Sequence, residues 1–232
     1  MKTLEDIFGI KIDNQHLFEC ALTHPSYAVE HNLPPLEHYE RLEFLGDAVL
    51  KYTVSVIMFE LYPDYTEGQL TKIRSVIVSD NMLAKICKEL KMHKLIKLAN
   101  NEESHGFRKL ESIKACSFEA VLGAFCLDGK MPELMEFMER VFIPHIKNIN
   151  DYPEKYNAKA VLQEYTQGQS KEIPVYRLVS TDGPAHDKTF NIEVFYKDKL
   201  IGKGNGKTKK EAEQMAALKA CNKLGVMQCK KS

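Results

Sequence analysis

The sequence predicts an all-α domain followed by a small α+β domain of order α-β-β-β-α, and three observations predict it. From about Asn14 to Ile149 the apolar residues recur mostly at three and four positions, as in Leu70-Ile73-Ile77 and Leu134-Phe137-Met138-Val141, which is the helical period. Around Pro153 the stretch NINDYPEKYN turns polar and reads as a short connector. Beyond it the period changes: in FNIEVFY, residues 190, 192, 194 and 196 are apolar or aromatic while Asn191 and Glu193 alternate with them.

Element by element, Pro34-Pro35, Pro63 and a polar loop from Asn100 to Lys109, with Gly106 inside it, punctuate the helical part. The second part reads as a helix through Lys159 to Gln167, strands at Val175–Val179, Phe190–Tyr196 and Leu200–Gly204, and a helix from about Lys209 to Leu224. One face of that sheet can pack on both helices. The expected organisation is a first domain over 1–150, a linker over 151–156, a second domain over 157–226 and a tail over 227–232.

At 232 residues the chain is long enough for two ordinary domains. Hydrophobic residues at 44% and charged residues at 28% argue for a folded core and against wholesale disorder. With 32 basic and 32 acidic residues the formal charge cancels, so any attraction for a polyanion has to be local. The six cysteines form no C-x-x-C pair, and the opening MKTLEDIFGIKID carries no apolar signal segment. The expectation is a reducing, cytoplasmic setting with no membrane association, since no apolar run approaches the roughly 20 residues that cross a bilayer.

The first chemical signal lies in Glu40-Arg41-Leu42-Glu43-Phe44-Leu45-Gly46-Asp47-Ala48-Val49-Leu50. Glu40, Glu43 and Asp47 stand at i, i+3 and i+7, along one narrow stripe of a helix. Leu42, Leu45 and Val49 cover the opposite side and Phe44, Ala48 and Leu50 crowd the flanks, so this helix is expected to be buried. Carboxylates in such surroundings are costly unless paired. Arginines such as Arg41 or Arg74 would pair them in a purely structural arrangement; a divalent cation would keep several ionised together. Oxygen ligands select a hard ion, Mg²⁺ or Mn²⁺. A second apolar helix, Ser112 to Phe125, carries Glu119 as the natural further ligand, and Gly123 and Ala124 would let it approach its neighbour.

The run from Glu40 to Leu50 resembles the signature of the ribonuclease III family. Glu67-Gly68-Gln69-Leu70-Thr71, Phe118-Glu119-Ala120 and Thr23-His24-Pro25-Ser26-Tyr27 fit further family motifs in order and spacing. The resemblance implies an α-helical nuclease domain that homodimerises and cleaves both strands of duplex RNA with Mg²⁺, leaving 5′-phosphate and 3′-hydroxyl ends. It implies processing of structured RNA such as rRNA precursors. Carried over by position, Glu43, Asp47 and Glu119 would be metal ligands, with Asp47 and Glu119 catalytic. Glu40 and Glu67 would lie at the substrate cleft or dimer surface and are grouped with the RNA-binding residues.

The sequence departs from the family where Cys116 stands in place of an Asp three residues before Glu119. A thiol with an ordinary pKa of about 8.5 is a poor ligand for Mg²⁺. Glu111, five positions earlier, lies roughly 140° around the helix and cannot take over from the same turn. Three readings stay open: water fills the vacant position and activity survives, the site prefers a softer ion, or the domain binds RNA without cutting it. Retention of Glu40, Glu43, Asp47, Glu67 and Glu119 favours activity, because a domain freed from catalysis has no reason to keep costly acids together. Tyr39 and His105-Gly106 are smaller departures. An enzyme acting on small nucleotides, with an appended targeting domain, would instead cleave free nucleotides.

Residues from about Ala158 to Leu224 resemble a double-stranded-RNA-binding domain. The marks are Leu162-Gln163-Glu164-Tyr165, Pro174-Val175-Tyr176, Gly183-Pro184-Ala185-His186, Phe190, Gly202-Lys203-Gly204 and Lys207 to Gln214. Lys207, Lys209 and Lys210 gather at the start of the last helix, where free N–H groups and the dipole already favour phosphate. Lysines are poor choices for stabilising a helix N-terminus, so a polyanion explains their placement better than a solvated face. The resemblance assigns Gln163, Glu164 and His186 to minor-groove contacts in a module that reads A-form shape.

Overall fold

A helix that is apolar on nearly every side has to be enclosed by others. The segment Glu111–Leu127 is of this kind, and Ala115, Phe118, Ala120, Val121, Leu122 and Phe125 within it are all buried. The computed structural model describes residues 3–151, 153–184 and 188–226, and the chain divides into two units, Met1–Asn148 and Ile149–Ser232.

The first unit is helical, as the period predicts. In chain order its helices are α1 (Leu4–Phe8), α2 (Gln15–Ala21), α3 (Pro25–Glu30), α4 (Glu40–Leu61), α5 (Glu67–Ile77), α6 (Asp80–Glu89), α7 (Asn100–Ser104), α8 (Glu111–Leu127) and α9 (Met131–Asp151), the last crossing the division. The enclosed helix α8 packs chiefly on α4 and α6, and also on α2. At its far end Phe8 lies 4.3 Å from Phe137 and 4.9 Å from Phe125 between ring centres, while Phe18 meets Phe125 edge-on at 4.6 Å. Truncating one such ring to alanine costs about 3–5 kcal/mol, so this cluster anchors α8 from the side away from the acids.

Two expectations are corrected here. The stretch Asn100 to Lys109 is not a plain loop: it holds α7 and a 3-10 turn, Phe107–Lys109. Arg108 organises it, donating to the carbonyls of His93 (2.7 Å) and Ile96 (2.8 Å) and pairing with Glu103 at 2.6 Å. Nor is α4 buried on all sides. Leu42, Val49, Leu50, Val54 and Ile57 face the core, but Phe44 is 84%, Tyr52 60% and Phe59 73% exposed. Apolar composition all round shows that a helix needs cover; it does not show that its own chain supplies it.

The expected linker is also largely helical: α9 ends at Asp151 and α10 (Pro153–Ser170) begins two residues later. Pro153 starts that helix rather than breaking one, because a first-turn residue has no intrahelical use for an N–H. The second unit continues with β1 (Val175–Asp182), β2 (Thr189–Tyr196), β3 (Lys199–Gly206) and α11 (Lys209–Lys223). The sheet is antiparallel in the order β1-β2-β3. Its alternation does what the sequence predicts: Ile192 and Val194 of β2 are buried with Leu162 of α10 and Ala212, Ala216, Ala217 and Ala220 of α11. In register with them, Gly204 pairs Ile192 and Gly202 pairs Val194. A β-carbon on Gly202 would lie 2.4 Å from the Ala216 carbonyl oxygen, and one on Gly204 2.2 Å from that of Ala212. Glycines on β3 therefore let α11 rest almost on the strand backbone. Among the described residues no helix is long and apolar enough to cross a membrane.

Candidate functional site

The start of α4 is fixed from outside the helix. Tyr39, its N-cap, is buried and donates its N–H to the Thr23 carbonyl at 3.0 Å. His24 meets the Tyr39 ring edge-on at 5.6 Å and accepts the Ser26 N–H on Nδ1 at 3.1 Å, capping α3. Burial holds the His24 ring below its ordinary pKa, which favours the neutral form that such an acceptor requires. The Thr23-to-Tyr27 motif thus acts as a brace for the acid-bearing helix.

One turn into α4, Glu43 and Asp47 are half-buried along the edge that faces α8. Two glycines set the approach. A β-carbon on Gly46 would fall 1.7 Å from the Glu119 carbonyl oxygen, and one on Gly123 2.3 Å from the Leu42 carbonyl oxygen. The Gly123 approach was legible in the sequence; Gly46, between the acids, completes it. At this crossing burial, then the charges of Asp47, Glu43 and Asp80, push the Glu119 carboxyl up to about 8, with Lys51 pulling the other way. Glu119 therefore shares one electrostatic site with Glu43 and Asp47. The cation at Asp47 is Lys51, 2.7 Å away and one turn along α4, while Arg74 donates to Ser55 instead.

Cys116 sits one turn before Glu119 in the same site. Burial, a hydrogen bond to Glu43 and the charges of Glu43, Glu119 and Asp80 push its thiol up to about 12. It is a neutral donor to Glu43, and a poor ligand for a hard ion. Burial, then the charges of Cys116, Glu43 and Glu40, push the Tyr39 hydroxyl upward. The departures at positions 39 and 116 thus lie beside one another. Asp80, at the first position of α6, was missed by sequence reasoning: an acid in a first helical turn is ordinary, and nothing local reveals what it faces.

The remaining expected residues are placed separately. Glu40 is exposed, one turn ahead of Glu43, with an oxygen 3.7 Å from His38 Nδ1. Glu67 begins α5, accepts from the Thr71 hydroxyl at 2.8 Å, and lines a cavity of about 360 Å³ with Ser55, Phe59, Tyr65, Leu70 and Arg74. The donor types of Glu43, Asp47 and Glu119 suit a small divalent cation: each would offer a carboxylate oxygen, and a buried carboxyl raised by like charges is the group such an ion would return to its ionised form.

In the second unit Gln163 and Glu164 are exposed on α10, while Leu162 beside them is buried. Lys209 and Lys210 are exposed in the first turn of α11, and Lys207 stands just ahead of it. That helix already has its own cap: Thr208 accepts the Glu211 N–H at 3.1 Å, and Glu211 accepts those of Thr208 at 3.2 Å and Lys207 at 2.8 Å. The lysines are therefore not needed to end the helix. His186 and the tail over 227–232 lie outside the described residues.

Two family models match this chain. A ribonuclease-III-like family model matches residues 14–146, and a double-stranded RNA binding motif matches residues 158–224. The chain is 42% identical to ribonuclease 3 of Streptococcus gordonii over 227 residues, covering 96% of this chain and 97% of that protein. It is 40% identical to ribonuclease 3 of Streptococcus pneumoniae strain P1031 over 220 residues, covering 95% and 94%. Among solved structures, the nuclease domain of ribonuclease III from Campylobacter jejuni is similar at 30% identity and a TM-score of 0.55, covering 62% of this chain and 97% of that one. A second structure of that domain, at 31% identity and a TM-score of 0.54, covers 60% of this chain and 92% of that one; it is described as showing structural flexibility in a region involved in dimer formation. With likeness over nearly the whole length and an acid-bearing α4–α8 crossing, the chain belongs to the ribonuclease III family of endoribonucleases.

Proposed function

We propose that this protein hydrolyses phosphodiester bonds in both strands of duplex RNA as a homodimer, with Mg²⁺ (or Mn²⁺) held by Glu43, Asp47 and Glu119. The observation that carries the reading is the crossing of α4 and α8, where three carboxylates from two helices share a site that pushes one of them up to about 8. Bound there, the ion would activate water and offset charge on the scissile phosphate and leaving oxygen. The chain's own contribution is positional. The Gly46–Glu119 contact fixes the spacing of the acids, and Lys51 holds Asp47 until a stronger cation displaces it. Glu40 and Glu67 are assigned to the substrate cleft or dimer surface.

The second unit is assigned the grip on duplex RNA, with Lys207, Lys209 and Lys210 at phosphates and Gln163, Glu164 and His186 at the minor groove. The substrates are structured transcripts, rRNA precursors among them, in a cytoplasmic setting that suits the free thiols at Cys20, Cys87, Cys116, Cys126 and Cys221. A noncatalytic role resting on Cys116 gains no support from the likenesses or from the grouped acids.

The deciding experiment incubates the full chain with duplex RNA and Mg²⁺ and sizes the products. The expected outcome is cleavage to 5′-phosphate and 3′-hydroxyl ends, reduced at least about 100-fold in Glu119→Gln, with RNA binding retained. Cleavage by Cys116→Asp alone, with the parent inert, would replace the nuclease reading with a binding one.

A further inference from the structure

Away from the acid crossing, α2 and the segment before α4 bring together three side chains that no part of the nuclease reading uses. His16 and Cys20 stand one turn apart on α2, and Glu37 reaches them from the chain that leads into Glu40. His16 Nε2 is 3.2 Å from one Glu37 oxygen, and Cys20 Sγ is 3.0 Å from the other. The sulfur and the imidazole nitrogen are 3.8 Å apart, and ligand atoms of all three residues fall within 4.8 Å of one another.

We propose that His16, Cys20 and Glu37 form a binding site for a borderline-soft divalent cation of the Zn²⁺ class, distinct from the hard-ion site on α4 and α8. Ligand chemistry supports this first: one imidazole, one sulfur and one carboxylate are the donor types Zn²⁺ takes, whereas Mg²⁺ seeks oxygens. Distance supports it second. Zn–S, Zn–N and Zn–O bonds of about 2.3, 2.0 and 2.1 Å in a tetrahedron set donor pairs roughly 3.3–3.6 Å apart; the sulfur and nitrogen stand at 3.8 Å, and the Glu37 carboxylate offers one oxygen 3.2 Å from the nitrogen and the other 3.0 Å from the sulfur.

The backbone holds the donors in place beforehand. Glu37 donates its N–H to the Pro34 carbonyl at 3.2 Å, and Tyr39, two residues on, is tied to Thr23. His16 keeps 63% of its side chain exposed and Glu37 31%, which leaves a path for the ion and a fourth position for water. Coordination replaces the Cys20 S–H bond with a metal–sulfur bond and releases that proton to solvent. The thiol is otherwise protonated, pushed up to about 12 by burial and by Glu37, with Glu19 and Lys97 the other charges it feels. An ion here would pin α2 to the segment that enters the catalytic helix three residues later, so the site would be a clamp on the brace of α4.

The test uses the full chain, stripped of metal and kept free of Mg²⁺, titrated with Co²⁺ as a spectroscopic stand-in for Zn²⁺. The expected result is one equivalent bound with a near-ultraviolet sulfur-to-cobalt band and visible bands of tetrahedral intensity, beside a sulfur-free equivalent at the oxygen site of α4 and α8. Cys20→Ser should abolish the sulfur band. His16→Ala, at an exposed position that does not endanger folding, and Glu37→Gln should each weaken binding by about 10-fold or more. Cys116→Ser, which removes the thiol of the other site, should leave the sulfur band unchanged. A sulfur band that survives Cys20→Ser, disappears with Cys116→Ser, keeps full affinity in His16→Ala, or fails to form at millimolar Co²⁺ overturns the proposal.

Discussion

Gly46 of α4 and Glu119 of α8 touch backbone to backbone, so closely that a single added methyl group would lie 1.7 Å from the Glu119 carbonyl oxygen. The spacing between the acids proposed as ligands is therefore set by the absence of a side chain. Gly46→Ala should push the helices apart, lower stability on the order of 3 kcal/mol and reduce cleavage by about 100-fold, since displacement of about 1 Å is that costly to catalysis. Gly68→Ala is the control: nothing lies within 4 Å of its added carbon, and a glycine exchanged for alanine in an open helix should be neutral or stabilise by up to about 1 kcal/mol. Urea unfolding and cleavage rates of the two variants check both statements.

Cys116→Asp should change two quantities in opposite directions. A fourth carboxylate beside Glu43 and Glu119 adds an oxygen ligand, so the Mg²⁺ concentration needed for half-maximal cleavage should fall about 10-fold. Without cation the same carboxylate adds repulsion to a site where charge has already raised Glu119, so thermal unfolding in chelator should occur at a lower temperature than for the parent.

Glu119 makes stability without divalent cation depend on pH. Its carboxyl ordinarily titrates near 4.5 and here near 8, so between those values the folded chain holds a proton that the unfolded chain has released. The stabilisation is complete below about pH 4.5 and is lost as pH rises through about 8. In chelator, parent stability should therefore decline relative to Glu119→Gln across this window. Denaturant titrations of both proteins at pH 5, 6.5 and 8 would show it, and equal slopes would contradict the placement of Glu119. Mg²⁺ should restore more stability to the parent at pH 8 than at pH 5.

Phe44, Tyr52 and Phe59 give α4 an outward apolar face, which the second copy of the proposed homodimer would cover. Phe44→Asp should convert a dimer to a monomer in sedimentation equilibrium while the helical content stays intact. A parent that is already monomeric at high protein concentration would remove the homodimer from the reading.

Lys209 and Lys210 are assigned to phosphates. Replacing both with alanine should weaken duplex RNA binding alike across unrelated sequences and reduce the slope of log K against log salt by about 2. Filter binding over a range of salt concentrations measures this directly.

The sequence made the acid-bearing helices legible because Glu40, Glu43 and Asp47 obey the helical period and Glu119 is a charge in an apolar run. It made the sheet legible because β2 alternates cleanly. Other features depend on neighbours far along the chain. Asp80 joins the site from a third helix, and Glu37 meets His16 and Cys20 across a turn, neither with a local pattern to mark it. The outer face of α4 was misread as buried because apolar composition reports a need for cover and not its source. Pro153 was read as part of a break because proline ends helices more conspicuously than it begins them.

The glycines of β3 leave no side chain between the sheet and α11, the helix at whose start the lysines stand. With α11 resting on strand backbone at Gly202 and Gly204 and packed on α10 as well, no side chain can compress or swing between helix and strand. With the contacts proposed above, such a unit would work as a caliper: a duplex whose grooves are spaced as in A-form RNA would meet both jaws at once, and one with B-form spacing would meet only one.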